Sequence, residues 1–326
     1  MIRQTKRLVY GEFIMTRILV TGGAGYIGSV LIPKLLLDGF KVTCVDNLLY
    51  EPTSLMMATS NKNFDLVIGD ARDEELMRPL IENADVIIPL ACMTGAPLCN
   101  KDKVAASTVN RDSVIMCSKL SSKNQLLIYP CTNSGYGIGE EGIFCTEESP
   151  LNPISLYGKT KVDAEKIVLK HKNSIVFRLA TVFGYSYRMR TDLLVNFLVN
   201  MAVRNKKISL FEPHFRRNYI HVLDVANAFI FSISNFNKMR GNIFNVGLSN
   251  ANLTKIQLAQ LIKKNIKGTK IINLKNKKDP DKRDYFVSNK KIERLGFKPN
   301  ISIEEGIIEL KNIFETFNFE KNKNNY

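Results

Sequence analysis

Tyr157 and Lys161 stand four positions apart, a spacing that puts both side chains on one face of a helix. A free phenol, with a pKa of about 10, is a poor base at neutral pH. A lysine ammonium a few ångströms away, together with a cationic nicotinamide ring, stabilises the phenolate and lowers that value. A nearby hydroxyl, Thr132 or Ser134, orients a substrate alcohol by donating or accepting a hydrogen bond. Such a set removes a proton from an alcohol while hydride leaves its carbon. Tyr-x-x-x-Lys is also how an ordinary amphipathic helix can begin, so the pair acquires meaning only beside a cofactor site.

That site is readable upstream. Ile18-Leu19-Val20-Thr21 forms a short apolar run, Gly22, Gly25 and Gly28 follow, and Val30, Leu31, Leu35 and Leu36 recur at helical spacing. Strand, glycine turn and helix is the context of a dinucleotide fingerprint. The turn, with Tyr26 and Ile27 inside it, brings backbone close to a pyrophosphate. The helix N-terminus offers it N–H groups and a partial positive charge. Asp46, 24 residues beyond Gly22 and next to Asn47, is placed to accept from both ribose hydroxyls of an adenosine. It would repel a 2′-phosphate, and no arginine follows at once to bind one, which favours NAD over NADP. Asp70, beside Ala71, either accepts from an adenine amino group or caps the next helix. Leu90-Ala91-Cys92 and Thr94-Gly95 supply small residues that let backbone pass close to a cofactor. Asn110 lies inside a helical stretch, where it is solvated, bonds locally or holds a kink near a site.

These residues need a frame. Strands are expected at 17–21, 41–45, 65–68, 85–90, 126–130 and 174–179, and helices at 26–38, 73–82, 103–122 and 157–171. This alternation predicts an α/β, Rossmann-type, doubly wound parallel sheet with right-handed crossovers and a ligand crevice at the strand C-terminal ends. Residues 15–183 form the expected NAD-binding domain. Beyond about 183 the rhythm changes to helix 191–204, strand 207–211, strand 219–222, helix 222–234, strand 243–246, helix 254–265, strand 270–274 and helix 303–317. This reads as a smaller α+β substrate lid over 184–317, with 219–246 rejoining the first domain. Residues 1–14 are read as a disordered extension or the product of an upstream start codon, and 318–326 as a disordered tail.

Composition removes other classes. The chain has 326 residues and is 45% hydrophobic, enough for one large or two intimate domains. No apolar run approaches the ~18 residues of a membrane span, and the N-terminus lacks the apolar core of a signal peptide. The six cysteines show no C-x-x-C pair, and with three histidines no metal site is expected. Reduced thiols suit a cytoplasmic protein. The net charge of +15 is spread over scattered lysine pairs rather than a basic block. It reads as solvated surface, or as a field that attracts an anionic substrate, and no nucleic-acid or membrane partner is expected.

The glycine turn, Asp46, Asp70, the Thr132 loop and Tyr157/Lys161 follow the order and spacing of the extended short-chain dehydrogenase/reductases. Over residues 16–315 the chain resembles their nucleotide-sugar epimerase/dehydratase branch, including Arg178-Leu179-Ala180-Thr181-Val182-Phe183-Gly184, Arg217-Asn218-Tyr219-Ile220-His221-Val222 and Gly296-Phe297-Lys298-Pro299. The resemblance implies that Thr132, Tyr157 and Lys161 are the catalytic triad and that Asp46, Asp70 and Asn110 support the cofactor or active site. It also implies that Arg217 and Arg283 hold a sugar diphosphate, a bidentate role that suits a guanidinium. A homodimer built on helices 103–122 and 157–171 is the family expectation, with Val104, Val109 and Val114 consistent with a packed face.

More narrowly, Thr94-Gly95-Ala96-Pro97, the run Thr132–Glu140, Phe215–Val222 and Asp279-Pro280-Asp281-Lys282-Arg283-Asp284-Tyr285 resemble bacterial GDP-heptose 4-dehydrogenases of capsule biosynthesis. Three departures from the branch, at four positions, bear on the reaction. Asn133 and Ser134 replace the Asp-Glu that dehydratases carry after the catalytic Thr, which disfavours loss of water. Thr181 replaces a diphosphate-binding Asn, and Asn218 replaces an Asp. Arg188, Arg190 and Asn196 follow the last strand of the first domain and read either as substrate contacts or as surface charge. Met189 and Phe197 read as lid core, and His221 as structural, at a strand-to-helix junction.

Overall fold

The computed structural model describes residues 15–140, 142–274 and 283–319. The expectations for residues 1–14, for most of the tail and for Asp279–Lys282 therefore lie outside the described residues.

Apolar and β-branched runs form seven parallel strands: β1 (Arg17–Thr21), β2 (Lys41–Asp46), β3 (Phe64–Ile68), β4 (Val86–Pro89), β5 (Leu126–Thr132), β6 (Ser174–Leu179) and β7 (Asn242–Val246). They lie in the order β3-β2-β1-β4-β5-β6-β7. The order reverses between β1 and β4, and in such a sheet ligands settle at the strand C-terminal ends beside that point. Strands β4, β5 and β6 are buried along their whole length because helices cover both faces. Helices Gly28–Leu37 and Val222–Ser234 pack Leu31, Leu35, Val225 and Phe229 into one layer. Helices Glu74–Glu82, Ser113–Leu120 and Leu156–Val168 pack Met77, Ile81, Val114 and Ala164 into the other.

The expected helix 103–122 runs unbroken from Lys103 to Leu120, but not as α-helix throughout. It runs as Lys103–Ser107, a π-turn at Thr108–Asp112, and Ser113–Leu120. Val104, Val109 and Val114 therefore do not share a face. Val114 is core, Val109 lines the central cavity and Val104 is 75% exposed. A step of five positions turns about 140° around an α-helix, so valines at that spacing fall on different sides of it.

The strand expected at 219–222 does not rejoin the large sheet. β7 pairs with β6 from Asn242↔Ile175 to Val246↔Leu179 and occupies that edge. Arg216–His221 pairs instead with Thr181–Phe183, the strand just beyond β6, and with Asn252–Thr254. Lys207–Leu210 pairs with Lys270–Asn273, and Phe144–Cys145 with Phe286–Val287. Helices Leu194–Asn205, Lys255–Asn265 and Ile303–Thr316 close a second core around Val195, Leu198, Leu258, Ile262 and Leu310. Phe197 is not part of it. It is 45% exposed and faces the cavity, whereas Met189 is buried.

His221 joins these parts. Its Nδ1 accepts from Leu223 N (3.2 Å), capping helix Val222–Ser234, and its Nε2 lies 2.8 Å from Glu309 Oε2. Gly184 packs against its ring: a Cβ there would come within 2.0 Å of His221 Nε2.

Candidate active site

A cavity of about 970 Å³ runs along the C-terminal ends of β1, β2, β4, β5 and β6 and is closed by residues 188–217, Lys255 and Arg283. Gly22, Gly25, Tyr26, Ile27, Gly28, Asp46, Asn47, Asp70, Ala71, Leu90, Ala91 and Cys92 line one stretch of it. Gly22 has φ +70°, and a Cβ there would meet Ala91 N at 2.5 Å, so only glycine lets these two loops touch. Helix Gly28–Leu37 begins without a side-chain cap or an acidic residue in its first turn, which leaves its N-terminus open to an anion.

Asp46 is held by its own loop. Oδ2 accepts from Ala24 N (2.9 Å) and Oδ1 from Leu48 N (2.8 Å). Burial raises its pKa, and these two amides oppose the rise. Asp70 does not cap the following helix; Asp73 does, accepting from Glu75 N and Leu76 N. Asp70 forms a two-point pair with Arg72 (2.9 and 2.5 Å), whose hydrogen bonds and charge lower its pKa despite partial burial. Tyr26 points its hydroxyl away from the glycine turn, donating to Gly184 O (2.7 Å).

Asn110 does not line the cavity. Its Oδ1 accepts from Met93 N (2.7 Å) and its Nδ2 donates to Met93 O (2.9 Å), so the π-turn aims a fully buried amide at the loop after β4 and clamps it. Asn196 is likewise no cavity contact. It accepts from Gly184 N (3.0 Å) and donates to Arg190 O (2.9 Å), fixing the backbone that presents the arginines.

Thr132, Tyr157 and Lys161 meet on the cavity wall. Ser155 caps the helix that carries the last two, accepting from Gly158 N. The Tyr157 ring is half-buried. Burial pushes its phenol well above the ordinary value and the Cys92 and Cys131 thiols add to this, while the Thr132 hydroxyl and the Arg283 charge pull it down. Lys161 Nζ lies 4.3 Å from the centre of the Tyr129 ring. The Lys161 charge lowers the pKa of Cys92 and Cys131 against the larger effect of burial.

Ser134 sits behind the wall rather than on it. Its Oγ accepts from Thr132 Oγ1 (3.1 Å) and from Arg283 Nη1 (2.9 Å), so the arginine reaches the catalytic loop through it. Asn133 is buried, with no partner for either amide atom among the described residues. Thr94, Arg188, Arg190, Arg217 and Arg283 do line the cavity. Arg190 pairs with Asp192 and donates to Thr94 Oγ1. Arg188 donates to Met189 O (2.7 Å) and its guanidinium lies 4.9 Å from the Tyr50 ring centre. The wall also holds Tyr50, Phe197, Ser209, Phe211 and Lys255. No local pattern announces these, because they come from segments joined only by tertiary packing.

The chain belongs to the NAD dependent epimerase/dehydratase family, whose model matches residues 18–247. It is therefore an enzyme of that family, and NAD is its cofactor. Among relatives it is 27% identical over 311 residues to dTDP-glucose 4,6-dehydratase of Streptomyces niveus, covering 90% of this chain and 91% of that one. It is 25% identical over 312 residues to a putative UDP-glucose 4-epimerase of Methanocaldococcus jannaschii, covering 90% and 97%. The crystal structure of UDP-glucose 4-epimerase from Thermotoga maritima with UDP-glucose superposes with a TM-score of 0.81 at 25% identity, covering 92% of this chain and 99% of that one.

The described residues fit NAD. The floor at Gly22 and Gly25 carries no side chains, the helix N-terminus is uncapped, and Asp46 faces the same stretch of cavity. No group of three or more His, Cys, Asp or Glu among the described residues is placed to hold a metal. None of their helices is long and apolar enough to cross a membrane.

Proposed function

We propose that this enzyme oxidises C4 of a nucleotide-diphosphate sugar, GDP-heptose or a close relative, and releases the 4-keto sugar. Tyr157, as phenolate, takes the proton of the C4 hydroxyl. Thr132 orients that hydroxyl, and Lys161 holds the nicotinamide ribose. NAD, when bound, supplies the acceptor for the hydride leaving C4. Gly22, Gly25, Tyr26, Ile27, Gly28, Asp46, Asn47, Asp70, Ala71 and Leu90–Cys92 form the cofactor's side of the cavity, and Asn110 acts on it through Met93. Arg217 and Arg283 hold the diphosphate, while Thr94, Arg188 and Arg190 bound the sugar. Residues 15–183, together with helix Val222–Ser234 and β7, serve as the NAD-binding part, and the remainder of 184–317 as the lid.

One observation carries the choice of reaction. The two residues after Thr132 are Asn133, a neutral buried amide, and Ser134, whose hydroxyl is engaged by Thr132 and Arg283. Neither supplies the acid and base that loss of water across C5–C6 requires. Epimerisation at C4 on the same residues is the rival reading, favoured by relatives such as the Methanocaldococcus protein. No disulfide joins the six cysteines among the described residues, which accords with the cytoplasmic action that is part of the proposal; the homodimer is part of it by family resemblance alone. Tyr157→Phe should lower turnover by about 10²-fold or more while bound NAD, measured after denaturing release, stays stoichiometric. Near-normal turnover in that variant would remove Tyr157 as the base.

A further inference from the structure

Lys255 differs from a solvated surface lysine. It is 3% exposed and lines the cavity. Its ammonium donates to Phe211 O (3.2 Å) and lies 4.5 Å from the Phe211 ring centre and 5.6 Å from that of Phe215. The backbone holds it in place as well. Lys255 N donates to Phe215 O (3.0 Å), directly beyond the rungs Arg216↔Thr254 and Arg217↔Leu253. At about 3.3 Å per residue, Lys255 lies roughly 7 Å along the chain from the residue opposite Arg217. Phe211 beside it, and Phe197 elsewhere on the cavity wall, give aromatic faces suited to a flat ring.

A diphosphate on Arg217 has two ends. The sugar must reach Tyr157 on the wall built by the large sheet, so the nucleoside is left facing the wall where Lys255 stands. We propose that Lys255 reads the nucleobase and selects bases with a ring carbonyl on the edge it meets: guanine, uracil or thymine rather than adenine or cytosine. This rests on the nucleotide-sugar reading above. An ammonium has donors and no acceptor. Guanine offers O6 and N7, the edge that lysine pairs with in nucleic acids. Adenine turns an amino group toward the same place, as cytosine does where uracil has O4. Two donors facing each other away from water leave one unsatisfied, which is how a site rejects the wrong base.

The test is equilibrium calorimetry of GDP, ADP, UDP and CDP on the NAD-loaded protein. At least one carbonyl-bearing nucleotide should bind about tenfold tighter than its amino counterpart, GDP over ADP or UDP over CDP. The pair that shows the preference identifies the base. Lys255→Met should bring that pair within about twofold, and Lys255→Arg should keep the preference, which separates base reading from a folding defect. Equal affinities within both pairs, or a preference that survives Lys255→Met, overturn the proposal. Binding needs no turnover. A Lys255-dependent preference without 4-keto product removes the oxidation and leaves the base reading standing, whereas 4-keto product with a base preference indifferent to Lys255 does the reverse.

Discussion

Tyr157 must lose a proton before it can take one, and its surroundings decide when. Burial holds the phenol well above its ordinary pKa, and Thr132 and Arg283 are the groups that work against this. Turnover should rise as pH rises, because the active form is the deprotonated one. Removing the positive charge in Arg283→Met raises the phenol further, so the rise should move to higher pH, read from initial rates across pH at saturating substrate. If only KM changes and the profile stays in place, Arg283 acts on the diphosphate alone. At this scale the sequence was informative wherever a residue sits in a local motif: Gly22, Asp46, Tyr157 and Lys161 each keep their place on the cavity. It was silent on Lys255 and misleading on Ser134 and Asn196. Those side chains are oriented by partners far along the chain, such as Arg283, 149 positions from Ser134, and no spacing rule encodes such a meeting.

Among the elements, the segment from Lys103 to Leu120 shows what periodicity leaves out. Its apolar positions predict one helix, but Asn110 bonds both Met93 backbone groups, and the extra residue of the π-turn lets it do so. A polar residue inside a helix was the only signal, and it left three readings open. Asn110→Ala strips the Met93 amide of its partner and leaves the Met93 carbonyl only the Cys99 and Cys92 thiols. That should cost about 1–3 kcal/mol, seen as a lower melting temperature together with weaker NAD retention, since Met93 and its neighbours Ala91 and Cys92 line the cavity. A variant that melts lower but keeps NAD as tightly would show that the clamp serves stability alone. The large sheet was legible because each of its strands is an apolar run between turn residues. The short pairings, such as Thr181–Phe183 with Tyr219–His221, were not, because two or three rungs carry too little pattern.

For the whole molecule, the proposed function lays the steps along one cavity at the C-terminal ends of the large sheet: cofactor over β1 and β2, reaction beside β5, diphosphate and base against the C-terminal core. A buried pair joins the large sheet to the helix that carries Tyr157 and Lys161. Arg178 on β6 meets Glu165 at 2.7 and 3.2 Å and also donates to Tyr136 Oη and Glu147 O. The proposed homodimer would use the outward side of helices Ser113–Leu120 and Leu156–Val168, and half-buried Ile115, Met116 and Leu120 edge a shallow groove between the first of these and Glu74 of helix Glu74–Glu82. Light scattering should report two chains per particle, and Met116→Glu should shift it toward one. A single-chain particle in the unaltered protein would remove the dimer.

Reaction and substrate meet in one measurement: mass and NMR analysis of the products formed from GDP-, UDP- and dTDP-sugars. Oxidation at C4 predicts a product lighter by two hydrogens with a carbonyl at C4. An unchanged mass with C4 inverted would make the enzyme an epimerase. A product that has lost water would contradict the inference drawn from Asn133 and Ser134, and with it the account of this site.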